Sequence, residues 1–582
     1  MGGNFSIEST GNADPRITEA VNNLKMARMN NELTGKKYWE NRLIELTNSQ
    51  PVRFTPLPFK GKKETGNVSG NSEALNVTKL TNQVIVANSV SRDIYSGIVF
   101  AAIGIYGGPD GGDTLKVFRS SNNGLNFTPI YSLSAVGFRI TNNGLDIEAL
   151  NKGDSSFAFL SMSYSFMGFN HVAIVRVRQD GERQMGISLI GSTTNKYLNG
   201  RMTSDIASYS AAAYIYLSST LDSTVDAYRG LKSKLYRLTN PYEAEDATAN
   251  IIACYQDATN GQYGYYVGGS APTLARLESD IAYVNTVANA DQLYTVTVVT
   301  GVPGLFGDGS GLYFTRSSDF GATVSLFNIT DPGFLKASPR IAATGFRDNT
   351  MMVVTNRLLS AGNWDPYYFY IPNININEFN GGFVNSQTDT TLGVSVTAKY
   401  KSNGGYLFSY NNRVGFNGSN IFMRPFSAGS LGTNVQANPP DMPGTTIFGL
   451  PDAGFRNVNN DSCMVVWGGT VGIGSYITGG CGGDITSIGS SNTNLSDFHL
   501  YQNYPNPFNP STKISYNLSR ASKVSVRIFD IVGKEVALIV NEIQSTGFHS
   551  VEFNGINLSS GIYFYKIEAN DFVDTKRMVL IK

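Results

Sequence analysis

Histidine is almost missing from this chain: His171, His499 and His549 are the three in 582 residues. A Ser-His-Asp hydrolase would have to use His171, because the other two lie in the tail segment described below. No HExxH, P-loop or paired CxxC occurs, which removes the zinc-peptidase, nucleotide-binding and zinc-knuckle signatures. Cysteine is as scarce, with Cys254, Cys463 and Cys481 only, too few for a disulfide framework. Cys463 and Cys481 flank a glycine-rich stretch and would close a loop in an oxidising compartment, leaving Cys254 over. Charge is thin: 15% of residues, net zero. The one basic run, Lys60-Gly61-Lys62-Lys63, reads as a solvated loop, so no nucleic-acid partner is expected. No apolar run is long enough for a membrane-spanning helix. The opening "MGGNFSIESTGNADPR" lacks a basic n-region and an apolar h-region and is not a signal peptide. The protein therefore either stays inside or is given in a mature or truncated form.

What the chain has instead is 61 glycines, 31 tyrosines, 33 phenylalanines and abundant Asn, Ser and Thr. Aromatic and β-branched residues favour strands, and Gly and Asn supply the turns between them. The chain is too long for one ordinary core, so several domains are expected. Near the start, Asp14-Pro15 is a helix cap followed by Ile17, Val21 and Leu24 at helical spacing, and Trp39, Leu43 and Leu46 repeat the pattern. Two short helices broken near Thr34-Gly35 are predicted, serving as a cap on the next domain or as an assembly arm.

Beyond a polar linker the texture is uniform, with short apolar runs such as "GIVFAAIGIYGG", "HVAIVRVRQDGERQ" and "SCMVVWGG" separated by turn clusters. Asp-Ile recurs at Asp93, Asp146, Asp205 and Asp280, usually ahead of an apolar strand, and Arg340-Ile341 stands in a similar place. A repeat of roughly 50 residues, each with about four strands, is the signature of propeller blades. One such sheet cannot cover both of its faces, whereas sheets in a ring cover each other. The predicted fold is all-β: a helical segment 1–50, a linker 51–81, a β-propeller of six to eight blades over 82–480, a Gly/Ser/Asn-rich linker 481–497 and an Ig-like β-sandwich over 498–582.

Two turns support the propeller. In "VFRSSNNGLNF", Ser120, Asn122, Gly124 and Phe127 stand at fixed offsets, and in "YFTRSSDFGATV" Ser317, Asp319 and Gly321 do the same. Ser and Asp side chains bond backbone N–H groups inside such a turn, and Gly supplies a positive φ. Both stretches resemble the Asp-box (BNR) repeat of sialidase-like propellers, with Asn and Phe replacing Asp and Trp in the first and Val324 at the Trp position of the second. The resemblance implies a structural turn on the outer hairpin of a blade and no catalytic role.

The tail opens "FHLYQNYPNPFNPSTKISYNL", continues with "KVSVRIFDIVGKEV", "TGFHSVEFNG" and "LSSGIYFYKIEA", and ends "TKRMVLIK". Its alternating strands, with Val524, Val526 and Ile528 facing one way, describe a small antiparallel sandwich. The prolines fix φ and hold the linker extended into the first strand. The segment resembles the type A C-terminal sorting domain of the type IX secretion system, carried by Asn503, Pro505, Asn506, Pro507, Phe508, Asn509, Pro510, Gly533, Gly547, Gly561, Lys576 and Lys582. That resemblance implies export across the outer membrane of a Gram-negative bacterium, release or surface attachment, and the type IX machinery as a partner. It also implies a Sec signal, which this sequence lacks.

No catalytic residue and no bound metal is assigned. A sialidase-like glycosidase would need an arginine cluster, a Tyr–Glu pair and an Asp acid/base. Arg139 in "GFRIT" loosely resembles the sialidase Arg-Ile-Pro motif, and Arg201, Arg276, Arg340 and Arg347 are further candidates. Asp110, Asp113 and Asp308 lie in acidic Gly-rich loops where Ca²⁺ is conceivable, without the ligand count of an EF-hand. The expected function is a secreted or surface, non-catalytic scaffold for binding a glycan or protein or for self-assembly, the alternatives being a sialidase-like glycoside hydrolase and a structural subunit of an extracellular lattice or filament.

Overall fold

In the computed structural model the chain forms two compact units, Met1–Gly489 and Ser490–Lys582. The structure describes residues 3–8, 15–16, 19–20, 23, 26–27, 33–47, 55–65, 71–72, 77–108, 110–122, 124, 126–205, 214–225, 228–243, 251–254, 264–266, 276–285, 291–300, 311–317, 325–329, 335–343, 350–360, 363–372, 378–385, 391–398, 405–414, 418–427, 429–432, 434–438, 450–455, 463–468, 475–478, 499–500, 503, 508–518, 521–544, 547–570 and 572–581.

Among the described residues, the first unit falls into seven antiparallel repeats of consecutive strands. Their first, innermost strands are Ile85–Arg92, Arg139–Lys152, Asn195–Ser204, Arg276–Asn285, Leu335–Ala343, Thr391–Ala398 and Asp452–Phe455. Each of these touches the next, and the seventh returns to the first, so the contacts close in a cycle. The apolar clusters sit between sheets, where the expectation of mutual covering places them. Phe100, Leu115 and Val117 of repeat 1 pack with Leu145, Leu160 and Val175 of repeat 2. Phe159 and Ile174 meet Ile215 and Leu217 of repeat 3. Ile85, Val99 and Phe118 meet Met464 and Val466, which joins repeat 7 to repeat 1. A strand such as Ser155–Phe166, buried along most of its length, is therefore apolar or small on both faces.

The first eighty-one residues match their predicted form in part. The helix Leu33–Thr47 begins beside the predicted break, with Thr34-Gly35 in its first turn, where backbone N–H groups have no intrahelical partner to lose. Trp39 and Leu46 pack against Tyr214, Tyr216 and Tyr283. The described residues between 15 and 27 are helical, while Asp14, Ile17, Val21 and Leu24 lie outside the described residues. Gly3–Glu8, inside the segment expected to be helical, is a strand that pairs with Ser325–Ile329 on one side and Glu378–Phe383 on the other, fusing repeats 4 and 5 into one nine-stranded sheet. Nor is 51–81 a bare linker: Thr55–Pro56 edges repeat 2 and Lys62–Lys63 edges repeat 1. Val77–Thr81 pairs with Ser475–Thr478 to complete repeat 7. Such short edge strands bond through the backbone alone and leave no apolar alternation in the sequence.

The second unit holds two antiparallel sheets around one core. One is His499–Leu500, Ser511–Leu518 and Gly547–Asn554; the other is Glu535–Gln544, Ser522–Phe529, Gly561–Ala569 and Phe572–Leu580. Val524, Val526 and Ile528 turn inward against Ile514, Tyr516 and Leu518, all within 1% of full burial.

Candidate functional site

The seven innermost strands line one cavity of about 310 Å³. Its polar lining includes Ser89, Asp146, Arg201, Asp280, Arg340, Ser395 and Asp452, one from each repeat. Hydrogen bonds fix their common register. Asp146 Oδ2 accepts the Met202 N–H at 2.7 Å, Asp280 Oδ2 the Ile341 N–H at 2.9 Å, and Asp452 Oδ2 the Val90 N–H at 3.0 Å. Met202, Ile341 and Val90 directly follow Arg201, Arg340 and Ser89, so each aspartate clasps the same position on the next repeat.

Local backbone geometry presents these side chains to the axis. The strand register slips just before the ring position in several repeats, between Leu198 and Arg201, Ala337 and Arg340, and Ile140 and Leu145. Asn143, Asn199 and Ser338 lie at these irregularities with φ of 55°, 53° and 53°. Bulges of this kind bend a strand and redirect a side chain, at a cost that non-glycine residues in the left-handed region bear. Gly200 is required by close approach, since a Cβ there would meet Ser161 Oγ at 2.5 Å and Val172 Cγ1 at 2.6 Å.

The ring is mixed in charge. Arg201 donates to the carbonyls of Leu145 at 2.9 Å and Asn143 at 3.1 Å, which sets its guanidinium beside Asp146. Arg340 donates to the Pro339 carbonyl at 3.1 Å, and burial, with Arg201 nearby, pulls its proton affinity below the usual arginine range against Asp280, Asp146 and Asp452. Asp452 accepts from Ser89 Oγ at 2.8 Å and Ser395 Oγ at 3.0 Å. Burial pushes the Asp146 carboxyl up to about 6; Arg201 and the Met202 N–H oppose the rise, and Asp280 and Asp452 add to it. Glu148, two residues along the same strand, is pushed up to about 7 by burial and by Asp146, while Ser204 Oγ donates to it at 3.2 Å. At the end where the inner strands begin, Leu450 N donates to Asn143 Oδ1 at 3.1 Å and its carbonyl accepts from Asn88 Nδ2 at 3.0 Å. The Leu450 side chain lies against Gly393, so this residue, which borders the cavity, ties repeats 1, 2 and 6 together.

Of the residues singled out from sequence, Asp146, Asp280, Arg201 and Arg340 meet at the axis. Asp93 and Asp205 do not: Asp93 closes the turn after its inner strand, holding Tyr95 N and Ser96 Oγ, and Asp205, just past its inner strand, accepts the Tyr214 N–H that begins the next strand. Ser89, Ser395, Asp452 and Glu148 belong to the site and carry no sequence signal beyond their place in the repeat. Arg139 is elsewhere, paired with buried Asp113 at 2.9 Å and with the Gly111 carbonyl. Asp113 also accepts Ile140 N, and Asp110 accepts Ser134 Oγ. Arg276 begins the inner strand of repeat 4. Arg347 and Asp308 lie outside the described residues. His171 is interior to repeat 2, its Nδ1 accepting the Gly191 N–H at 3.0 Å and its ring stacked on Tyr164, with burial lowering its proton affinity.

Ser120 Oγ accepts the Gly124 N–H at 2.9 Å and donates to Asn122 Oδ1 at 2.7 Å; Asn122 Oδ1 accepts the Asn126 N–H, Gly124 has φ 77°, and Phe127 is buried. Ser317 is buried, while Asp319 and Gly321 lie outside the described residues. In the tail, Asn503 N donates to Tyr565 Oη at 2.7 Å and its Nδ2 to Thr512 Oγ1 at 2.9 Å. Phe508 is buried and exchanges backbone bonds with Val579 and Ile581, and the Pro510 carbonyl, next to Asn509, accepts the Gly555 N–H. Gly533 turns a hairpin at φ 82°, Gly547 and Gly561 begin strands, and Lys576 lies on the last strand opposite Tyr565. Pro505, Asn506, Pro507 and Lys582 lie outside the described residues, as does Cys481.

Residues 502–582 match the family model described as "Secretion system C-terminal sorting domain". The tail is thus a sorting domain of the type IX kind, which points to the cell surface or the exterior and implies contact with the type IX secretion machinery. No curated protein matches the sequence. Among solved structures, AofleA from Arthrobotrys oligospora is 12% identical over 66% of this chain and 95% of its own, with a TM-score of 0.34. PorZ, a surface component of the type IX secretion system of Porphyromonas gingivalis, is 10% identical over 87% of this chain and 82% of its own, with a TM-score of 0.25. A subtype N10 neuraminidase-like protein (little yellow-shouldered bat, Guatemala) is 12% identical over 65% of this chain and 99% of its own, with a TM-score of 0.30. Among the described residues no helix is long and apolar enough to cross a membrane.

Proposed function

We propose that this chain is a non-catalytic binding protein exported by a Gram-negative type IX system: a seven-bladed β-propeller carried by an Ig-like sorting sandwich. The supporting observation is the axial ring, in which one polar side chain per repeat faces a single cavity. A mixed-charge cavity on a rigid frame suits capture of a polar ligand, such as a glycan or a protein side chain. In this reading Ser120, Asn122, Gly124 and Phe127, with Ser317, Asp319 and Gly321, are Asp-box turns that stiffen outer hairpins. The loop with Asp110 and Asp113 is likewise structural, with Ca²⁺ unnecessary, because Arg139 already meets the Asp113 charge. Asn503, Phe508 and the glycines of the tail anchor the sorting fold.

Two experiments test this. In a type IX-competent host, removal of residues 490–582 is expected to trap the protein inside the cell, and fractionation finding it still outside would end the export reading. Screening the purified chain against glycans and hydrolysable sialosides separates binding from catalysis. Turnover abolished by Arg201→Ala or Arg340→Ala would favour a sialidase-like enzyme, the reading that the two axial arginines support.

A further inference from the structure

The outward face of the tail's four-stranded sheet is uneven along its strands. Residues that alternate with the buried Val524, Val526 and Ile528, or with Tyr563, Tyr565 and Ile567, point away from the core. Toward one end they are mixed: Lys523 lies opposite Ile543, and Glu568 opposite Ser525 and Val573. Toward the other end they are apolar: Phe529 lies opposite Phe564, and Ile562 opposite Val579. The chain runs from Phe529 straight into the hairpin turn of residues 530–534. Its tip residues Ile531 and Val532 are 71% and 82% exposed, and the second value is the highest for a large apolar side chain among the described residues.

The tip is held rigidly. Asp530 Oδ1 accepts the Val532 N–H at 3.0 Å and the Lys534 N–H at 2.9 Å, the Asp530 carbonyl accepts the Gly533 N–H at 3.0 Å, and Gly533 turns at φ 82°. Turn positions ordinarily take small or polar residues, and neither Ile531 nor Val532 belongs to the core of the unit. Two β-branched side chains on a fixed backbone lose little conformational freedom when a partner covers them. We propose that this apolar end of the sheet, with Ile531, Val532 and Ile562 in front of the Phe529–Phe564 pair, is the surface by which the sorting tail docks into an apolar cleft on a protein component of the type IX machinery.

The inference rests on the export reading and adds where the tail is read. The occupant follows from the family match over residues 502–582, which makes this unit the part of the chain that meets the machinery. Charge does not select the surface. Arg527 lies 3.9 Å from Glu535 and Lys566 2.6 Å from Glu568, Asp530 sits in the same turn as Lys534, and Arg577 opposite Phe564 adds a single positive charge. Four cations against three carboxylates attract no strongly charged partner, so removal of apolar surface from water carries the contact.

Export of the full chain from a type IX-competent host, read as the extracellular fraction, tests the surface, with removal of residues 490–582 as the reference for lost export. Ile531→Ser combined with Val532→Ser is expected to lower the extracellular fraction about tenfold while the purified chain keeps the wild-type melting curve. Val532→Ile, which keeps an apolar tip, should export normally. So should Ile543→Ser, which removes a 78% exposed isoleucine from the far end of the same face. If the double variant melts lower, Val532→Ser alone repeats the test with the least burden on the fold and should cost about threefold. Wild-type export of the serine variants, with the deletion retained in the cell, overturns the docking surface and leaves the export reading standing. Export of the deletion itself overturns both. An equal loss in Ile543→Ser overturns the location. A concentration-dependent dimer in sedimentation, lost in a serine variant that still exports, assigns the surface to a second copy of the chain and overturns the proposal.

Discussion

Asp452 and Val90 lie more than three hundred positions apart in the chain, and the carboxylate of the first accepts the backbone N–H of the second at 3.0 Å. The bond joins the innermost strand of the last repeat to that of the first, while Val77–Thr81 joins the same two ends of the chain farther out in repeat 7. The ring is therefore closed twice, once at the axis and once toward its rim.

Removing the axial clasp should be costly. Asp452→Ala strands the Val90 N–H and deprives Ser89 and Ser395 of their acceptor. Losing a part-buried acceptor of three hydrogen bonds is worth ~1–3 kcal/mol, although Ser395 keeps its contact with Ser409 Oγ at 3.0 Å. Chemical denaturation should show the loss at an unchanged m-value, with Asp452→Asn intermediate because its amide oxygen still accepts. Wild-type stability in Asp452→Ala would mean that the rim strand alone closes the ring.

The cavity carboxyls set the direction of a pH effect. Asp146 and Glu148 keep their protons up to about 6 and about 7 in the folded chain. In the unfolded chain carboxyls let go near ~4. Between those limits the folded state binds more protons than the unfolded one, so stability falls as pH rises and the loss is complete above the higher value. A melting temperature that declines from pH 5 to pH 8, with a shallower decline in Glu148→Gln, is expected. A melting temperature that rises over this range in the wild type and is flat in the variant would contradict the assignment.

Ser120→Ala should be felt far from the axis. Its hydroxyl accepts from Gly124 N and donates to Asn122, and it is 1% exposed. A loss of ~1–2 kcal/mol is expected from the unsatisfied N–H. Gly124→Ala, at φ 77°, should cost ~1 kcal/mol for a different reason, backbone strain. Both variants should keep any ligand affinity, which calorimetry at the axial cavity would check.

Much of this architecture is legible in the sequence because burial between sheets writes apolar runs on nearly every strand. Val524, Val526 and Ile528 alternate and are fully buried, and the long runs of repeats 1 and 2 became their interlocking cores. The site is harder to read. Asp-Ile at positions 93, 146, 205 and 280 looks like one motif, yet Asp146 and Asp280 face the axis while Asp93 and Asp205 bond backbone N–H groups just past their inner strands. The ring mixes Asp, Arg and Ser, so no residue type marks its register, and the bulges at Asn143, Asn199 and Ser338 shift the count before Asp146, Arg201 and Arg340. The spacing put Arg340-Ile341 in the place that Asp-Ile takes in other repeats, and the clasp of Asp280 on the Ile341 N–H is visible only in the structure. Edge strands such as Lys62–Lys63 are invisible because only their backbones take part.

The tail offers a separable test. Tyr565 is fully buried, its hydroxyl takes the Asn503 N–H at 2.7 Å, and burial holds its proton up to about 12. Asn503 Nδ2 in turn reaches Thr512 on the first long strand, so one residue at the head of the proline-rich segment is pinned to both sheets. Tyr565→Phe removes the acceptor and leaves the ring packing, which should cost ~1–2 kcal/mol in this unit. Asn503→Ala should cost a comparable amount by removing the Asn503–Thr512 bond. If the sorting machinery reads the folded tail, both variants should export less protein in proportion to the fraction unfolded, and low temperature should restore export. Export that fails equally at every temperature, with the tail still folded, would show that Asn503 is read directly by the partner and is not merely a pin between the sheets.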